Sequence, residues 1–211
     1  PDADYRVVDY RGGPEGCRFT LTADGDRLGE LVVPLGVKAA TNAAGAAAMA
    51  LELGVEFDAV VRALRGFGGV ARRFQYRGER DGVVFVDDYA HLPTEVAAAI
   101  VTARESVAGR VIVVFQPHRY TRTRDLLHEF APALAGADEL LLTDISGAGE
   151  PAIAGVDAAA LLATFPDGLA PTIVTGIENS RVTSVATCAR ASTSCRSWLE
   201  SWTRSYFMDW K

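Results

Sequence analysis

Hydrophobic residues change their spacing along this 211-residue chain, and the changes predict the elements that it forms. Residues 1–35 alternate short apolar stretches with turn residues, which is typical of a small antiparallel meander. Its strands are predicted at Tyr5 to Tyr10, Arg18 to Thr22 and Leu28 to Val33. Two helices follow. The first is an alanine-rich run from Thr41 that stops at Gly54, and the second is FDAVVRALRGF, which repeats apolar residues at helical spacing.

Beyond a glycine-rich connector, GFGGVARRFQYRG, apolar strands alternate with helical segments. Strands are predicted at Val83 to Val86, Arg110 to Phe115 and Glu139 to Asp144, with a further candidate at Pro171 to Thr175, and helices at Thr94 to Glu105, Thr123 to Leu134 and Asp157 to Phe165. Nearly continuous apolar strands such as VIVVF indicate a parallel sheet that is covered on both faces. The predicted fold class is therefore α/β.

The chain is predicted to divide into residues 1–73, residues 74–179 and an atypical tail of residues 180–211. The tail holds all three tryptophans and two of the three cysteines without a clear period, so we leave it outside the predicted fold. Two interpretations stay open for it. It is a reading-frame change or cloning remnant, or it is a short amphipathic helix that ends in a tryptophan-rich stretch.

Composition excludes several classes of function. A formal charge of -6 and a pI near 5.1 argue against a protein that holds nucleic acid or an anionic membrane by bulk attraction. No apolar run approaches the roughly 20 residues that cross a bilayer, and the opening lacks the order of a signal peptide, which predicts a cytoplasmic protein. The three cysteines have no CxxC spacing, so neither a disulfide framework nor a metal site is predicted.

The first polar motif, DDYAHLPTE (residues 87–95), follows a predicted strand at its carboxyl end, where parallel sheets bind ligands. Its carboxylates can accept hydrogen bonds from a sugar hydroxyl, and its histidine can supply charge or a hydrogen bond. The alternative is an ordinary strand end, in which one aspartate caps the next helix and His91 is merely exposed.

The second motif, QPHRYTRTRD (residues 116–125), places three arginines and a histidine after the next strand. Clustered guanidinium groups suit a carboxylate or phosphate, which makes an anion site one interpretation. A solvated basic patch is the other. A third polar segment, DISGAGE, follows the third strand, and GVARRFQ places paired arginines on the connector, where they are either ligand-binding or only solubilising.

Taken together, GVARRFQ, VDDYAHLPTEV, VFQPHRYTRTRDL and ADELLLTDISGAGEPAIAGV resemble the Mur ligases over roughly residues 30–175. The likeness is strongest to members that add L-alanine to UDP-N-acetylmuramate, with murein-recycling members that ligate a peptide as the alternative. The resemblance implies an ATP-dependent acid:amino-acid ligase of peptidoglycan synthesis, which uses Mg²⁺ and an acyl phosphate. It also implies a Rossmann-like carboxy-terminal domain preceded by the end of a P-loop-type central domain.

The resemblance assigns roles to eight residues and assigns none to catalysis or to metal binding. Asn42 and Asp88 correspond to residues on the adenine and the ribose of ATP, and Arg73 corresponds to an arginine that reaches ATP from the connector. Arg119 and Arg122 correspond to the pair that grips the alanine carboxylate, and Tyr89, His91 and His118 line the same site.

Three departures from the family pattern limit these expectations. The family usually has the pattern Gly-x-His-Asn-x-x-Asn, whereas this chain has GVKAATN and so lacks the histidine and the first asparagine. The family also usually has a second histidine at the position of Leu92. Nothing in the chain matches GxxxxGK[ST], the loop that cradles ATP phosphates. We therefore expect a carboxy-terminal fragment that does not turn over ATP alone. A stand-alone, non-catalytic module that binds a small carboxylate or another protein is the remaining alternative.

Overall fold

In a computed structural model of the chain, residues 3–34, 37–80, 82–106, 109–166, 172–173 and 183–188 are described. The chain forms two compact units. The first unit comprises Pro1–Ala71 with Val101–Val107, and the second comprises Arg72–Ile100 with Ala108–Lys211.

The first unit contains the predicted meander as a three-stranded antiparallel sheet. Its strands are β1 (Tyr5–Gly13), β2 (Gly16–Ala23) and β3 (Asp26–Val33), in the spatial order β1-β2-β3. Asp24 and Gly25 join β2 to β3 with φ angles of 50° and 92°. A two-residue hairpin loop with both φ angles positive matches the twist of its strands, which explains the choice of Asp-Gly here.

Two helices pack with the meander, as the sequence predicts: α1 (Val37–Glu52) and α2 (Phe57–Arg65). Helix α1 begins before the predicted Thr41. The core of this unit consists of residues from the sheet and both helices, including Phe19, Leu21, Leu31, Ala47 and Val60. Gly29 in β3 has a φ of 153°, and a Cβ atom there would lie 2.6 Å from the Phe57 ring, so only glycine lets α2 approach this closely.

The second unit is built on a six-stranded sheet in the order β4-β5-β9-β6-β7-β8. The strands are β4 (Gln75–Arg80), β5 (Val83–Asp88), β6 (Arg110–Phe115), β7 (Glu139–Leu142), β8 (Thr172–Ile173) and β9 (Thr183–Cys188). Strands β6, β7 and β8 pair in parallel, whereas β9 runs antiparallel to both β5 and β6. The α/β class and the parallel pairing predicted from the sequence are thus confirmed.

Four helices belong to the same α/β pattern: α3 (Pro93–Ser106), α4 (Tyr120–Asp125), α5 (Leu127–Leu134) and α6 (Ala158–Leu162). The single helix predicted at Thr123 to Leu134 is wrong, because Leu126, with φ -112° and ψ 15°, separates α4 from α5. Residues Val111 to Phe115 of β6 are all buried, as a strand covered on both faces requires, and the Phe115 ring packs 5.2 Å from the Phe130 ring.

Two strands were not predicted. Strand β4 lies in the connector, where the polar run QYRGER gives no strand pattern. Strand β9 lies in the tail that the sequence pattern excludes from the fold, and it occupies the middle of the sheet. Exclusion of the whole tail is therefore corrected: a short TSVATC segment pairs on both sides, a long-range arrangement that local composition does not reveal. Residues 189–211 lie outside the described residues, and so does the amphipathic-helix interpretation.

Candidate functional site

The predicted site residues of the second unit come together where β5, β6 and β7 end. The loop after β7 pairs with the loop after β6 through a parallel backbone bridge between His118 and Ser146. The Arg119 N–H donates to the Ser146 carbonyl at 2.7 Å, and the Ser146 N–H donates to the Pro117 carbonyl at 2.9 Å. These bonds fix the position of the arginine-rich loop. We call Tyr89, His91, His118, Arg119 and Arg122 the carboxyl-edge cluster.

Three aromatic rings form the centre of the cluster. The Tyr89 ring lies 5.1 Å from the His91 ring and 5.9 Å from the His118 ring, and the two imidazoles are 6.0 Å apart. The tilted and edge-on contacts are favourable for aromatic groups. His91 Nδ1 is 2.8 Å from the Tyr89 carbonyl, so the turn also fixes the imidazole. The structure therefore brings together the residues predicted to line one site, with His91 half-buried rather than merely exposed.

Arg119 and Arg122 flank His118. An Arg122 Nη1 atom lies 3.2 Å from His118 Nδ1 and donates to the His118 carbonyl at 3.2 Å. Arg119 has φ 72° and ψ 131°, a region that non-glycine residues rarely adopt. Such backbone strain costs on the order of 1–3 kcal/mol and persists only where the surroundings impose it, often at functional sites. The Arg119 side chain remains half exposed.

Glu150 contacts the arginine-rich loop, although sequence reasoning gave it no role within DISGAGE. Its carboxylate accepts hydrogen bonds from the Thr121 N–H at 3.0 Å and the Thr121 hydroxyl at 2.8 Å, and it lies 3.8 Å from the Arg119 guanidinium. The backbone hydrogen bond from Thr121 is the main cause that lowers the pKa of Glu150. Glu150 thus holds the start of α4 and one of the two predicted carboxylate-binding arginines.

The first turn of α3 is capped by a glutamate and not by an aspartate. The Glu95 side chain accepts from the N–H groups of His91 at 3.1 Å and Leu92 at 3.3 Å, and it lies 3.6 Å from Arg73. The alternative in which Asp87 or Asp88 caps this helix is therefore wrong. The glutamate at this spacing from the helix start was the signal that could have identified the cap.

Asp88 instead accepts a hydrogen bond from the backbone of the connector. One of its carboxylate oxygens accepts the Phe74 N–H at 2.9 Å, and the side chain is buried. Burial raises the pKa of Asp88, while the Phe74 N–H and the charge of Arg73 oppose that rise. Because a carboxylate offers about four acceptor positions, hydrogen bonds to the backbone leave room for a ligand hydroxyl.

Asp87 pairs with Arg72, one of the paired arginines of the connector, and with Arg77, which the sequence analysis does not single out. Its Oδ2 atom lies 2.8 Å from Arg77 Nη2 and 3.8 Å from Arg72 Nε. The Arg72 guanidinium carbon lies 4.6 Å from the centre of the Tyr89 ring, a cation–π distance. Arg72 therefore contacts the carboxyl-edge cluster directly.

Asn42 lies in the first unit, exposed on α1. Its predicted contact with adenine stays a prediction. Among the described residues, no group of three or more His, Cys, Asp or Glu side chains is arranged to hold a metal ion. No helix in the described part of the chain is long and apolar enough to span a bilayer.

His118 is expected to respond to pH through its neighbours. Burial lowers the pKa of His118 from 6.5, and the charges of Arg122, His91 and Arg119 lower it further. Because the unfolded state then binds a proton more readily, the contribution of this residue to stability is lost as the pH falls below 6.5.

Arg122→Ala should raise the pKa of His118. NMR titration of the ring protons measures this, and exposed His128 serves as the internal reference. An unchanged titration of His118 in the variant would contradict the geometry.

The fold and the site define a class of α/β domain in which arginines and aromatic rings gather at the carboxyl ends of parallel strands. Residues 72–196 match the family described as Mur ligase, glutamate ligase domain. The chain belongs to the Mur ligase family.

Similar proteins agree with this assignment. A UDP-N-acetylmuramate–L-alanine ligase of Anaeromyxobacter sp. (strain Fw109-5) is 50% identical over 160 residues, which cover 75% of this chain and 35% of that protein. A ligase of the same name from Geobacter sp. (strain M21) is 45% identical over 161 residues, again 75% of this chain and 35% of that protein. The crystal structure of the UDP-N-acetylmuramate–alanine ligase of Thermotoga maritima matches with a TM-score of 0.67 and 27% identity, over 83% of this chain and 38% of that one. The chain thus spans about a third of these relatives' length.

Proposed function

We propose that the chain is part of an ATP-dependent ligase that joins L-alanine to UDP-N-acetylmuramate in peptidoglycan synthesis in the cytoplasm. Relatives with that name at 42–50% identity support the proposal. In this proposal residues 1–73 end the central ATP-binding domain and residues 74–179, together with β9, belong to the carboxy-terminal domain.

The carboxyl-edge cluster is proposed to bind the amino acid. The observation that carries this proposal is the position of His118, which contacts Arg122 and lies within 6.0 Å of the Tyr89 and His91 rings. Guanidinium groups form two parallel hydrogen bonds with a carboxylate, so Arg119 and Arg122 suit the carboxylate of alanine. The lowered pKa of His118 favours a neutral imidazole beside these two cations.

Asn42, Arg73 and Asp88 are proposed to contact ATP, which supplies the phosphoryl group that activates the acid. Their chemistry fits the assigned parts: an amide suits adenine, a guanidinium suits phosphates, and a carboxylate accepts from ribose hydroxyls. Asp88 is buried and bonded to Phe74, so it presents its remaining acceptor positions from a fixed place. No residue of this chain is proposed to hold Mg²⁺.

The test is an NMR titration of the purified chain with L-alanine, with a murein tripeptide and with Mg²⁺-ATP. The chain has three histidines, so their ring signals can be followed individually. L-Alanine should shift the signals of His91 and His118 but not of His128. A response to the tripeptide alone would favour the peptide-recycling ligase, and no response of either imidazole would contradict the amino-acid site. Tight binding of Mg²⁺-ATP would show that the nucleotide site of this chain is more complete than the missing GxxxxGK[ST] loop implies.

A further inference from the structure

The contacts of His91 determine which of its two ring nitrogens carries the proton. Nδ1 lies 2.8 Å from the Tyr89 carbonyl and 3.5 Å from a carboxylate oxygen of Glu95. A carbonyl oxygen can only accept a hydrogen bond, so Nδ1 must be the protonated nitrogen that donates it. In the neutral ring, Nε2 then has no proton and is a hydrogen-bond acceptor.

His118 has the opposite arrangement. The Nη1 atom of Arg122 lies 3.2 Å from His118 Nδ1, and a guanidinium nitrogen can only donate, so this Nδ1 must be the unprotonated acceptor. The proton of the neutral ring is then on Nε2. Burial lowers the pKa of His118, and the neighbouring charges of Arg122, His91 and Arg119 lower it further, which keeps the ring neutral.

The two imidazoles therefore present unlike atoms to a ligand. Their ring centres are only 6.0 Å apart, and both side chains are half-buried. The hydrogen bonds that fix the rings use Nδ1 in both residues, so they leave both Nε2 atoms for a ligand. One of these atoms accepts a hydrogen bond and the other donates one.

The charges beside the two rings differ in the same sense. A carboxylate, that of Glu95, lies 3.5 Å from His91, whereas a guanidinium, that of Arg122, lies 3.2 Å from His118. Arg73 lies 3.6 Å from Glu95 and compensates part of its charge, but it leaves the order of the two groups unchanged. A ligand with an amino group at one end and a carboxylate at the other has the complementary polarity.

We propose that His91 and His118 are held in opposite tautomers and distinguish the two ends of an α-amino acid. The Nε2 atom of His91 accepts a hydrogen bond from the amino group, and the Nε2–H of His118 donates to the carboxylate. This inference rests on the proposed amino-acid site and deepens it, because it assigns one group of the ligand to each imidazole. The pair favours an α-amino acid over a carboxylate that lacks the amino group.

The first measurement is the tautomer of each histidine in the ligand-free chain. Correlation spectra between ring protons and ¹⁵N nuclei separate protonated from unprotonated imidazole nitrogens, and mildly alkaline pH keeps the rings neutral. We expect the proton on Nδ1 of His91 and on Nε2 of His118. His128 is exposed and should show the averaged signals of a ring that exchanges between the two tautomers.

The second measurement compares L-alanine with propionate, which has the carboxylate but no amino group. Asparagine places its amide near the position of Nδ1 and has nothing at the position of Nε2, so His91→Asn removes only the proposed acceptor. This variant should weaken L-alanine binding about tenfold and leave propionate binding as in the wild-type chain, which also shows that the site is folded. His118→Asn should weaken binding of both probes.

Two further variants make the comparison specific. His91→Gln places an amide oxygen near the position of Nε2 and should recover part of the lost affinity for L-alanine. His128→Asn is the matched control, because the same change at an exposed histidine outside the cluster should affect neither probe. Binding is followed by the ring signals of the histidines that remain.

The outcomes separate this inference from the proposed amino-acid site. The same tautomer in both residues, or equal loss of L-alanine and propionate binding in His91→Asn, would overturn the inference and leave the site in place. A wild-type chain that binds neither probe would contradict the site itself, and with it the ligand contacts of both imidazoles.

Discussion

Combined Arg119→Ala and Arg122→Ala substitution is expected to abolish measurable binding of L-alanine. Hydrogen bonds to a charged group contribute about 1.5–3 kcal/mol each, so loss of one arginine should weaken binding roughly 10- to 100-fold. Arg122 should have the larger single effect, because it is bonded to His118 at the centre of the cluster. Calorimetric or NMR titration of the purified variants measures these losses.

The controls for this prediction come from the same helix. Arg124→Ala removes an exposed arginine that pairs with Asp125, so alanine binding should be retained. Arg122→Lys retains the charge without the fork, and intermediate affinity is expected. Equal affinity of the double variant and the wild-type chain would exclude the arginine pair as the carboxylate site.

Ending the chain after Val182 is expected to prevent cooperative folding of the second unit. Strand β9 pairs with β5 on one side and β6 on the other, so its removal separates β4 and β5 from the rest of the sheet. Each hydrogen bond contributes about 1 kcal/mol net, and two lost ladders are comparable to a whole domain stability of about 5–15 kcal/mol. Circular dichroism during thermal unfolding should show no sharp transition from this unit.

A chain that ends after Arg196 is the matched control. It removes much of the tail but keeps β9 and the region matched by the family. The chain that ends after Arg196 should unfold with a midpoint close to that of the full chain. If the chain that ends after Val182 unfolds with the same midpoint, β9 does not hold the sheet together, and the strand order described above is wrong.

The spacing of hydrophobic residues predicted most helices and strands, because each of these segments has the repeat that is typical of its own secondary structure. The meander, both helices of the first unit and the buried strand Arg110–Phe115 follow from spacing and turn residues alone. Strands β4 and β9 could not be predicted in this way. The first is polar on an edge of the sheet, and the second is specified by its partners Val83 to Asp88 and Arg110 to Val114 rather than by its own composition.

The sequence predicted the site residues that lie within recognisable motifs, but not the contacts made by residues outside them. The family resemblance implied that Tyr89, His91 and His118 line one site, and their rings do lie within 6.0 Å of one another. The motifs that hold them follow strands whose carboxyl ends meet at one edge of the sheet. It did not predict that Glu150 would contact the arginine loop, or that Arg72 would stack on Tyr89. Those contacts depend on side-chain directions, which are set by unusual backbone angles such as that of Arg119.

The central position of β9 also has a consequence for synthesis on the ribosome. Its partners, β5 and β6, are translated well before Thr183–Cys188. Until that segment emerges, the facing edges of β5 and β6 carry unpaired backbone groups, and exposed edges of this kind recruit other chains. The nascent second unit should therefore depend on chaperones until its last described strand closes the sheet, and slow translation of this segment should increase aggregation.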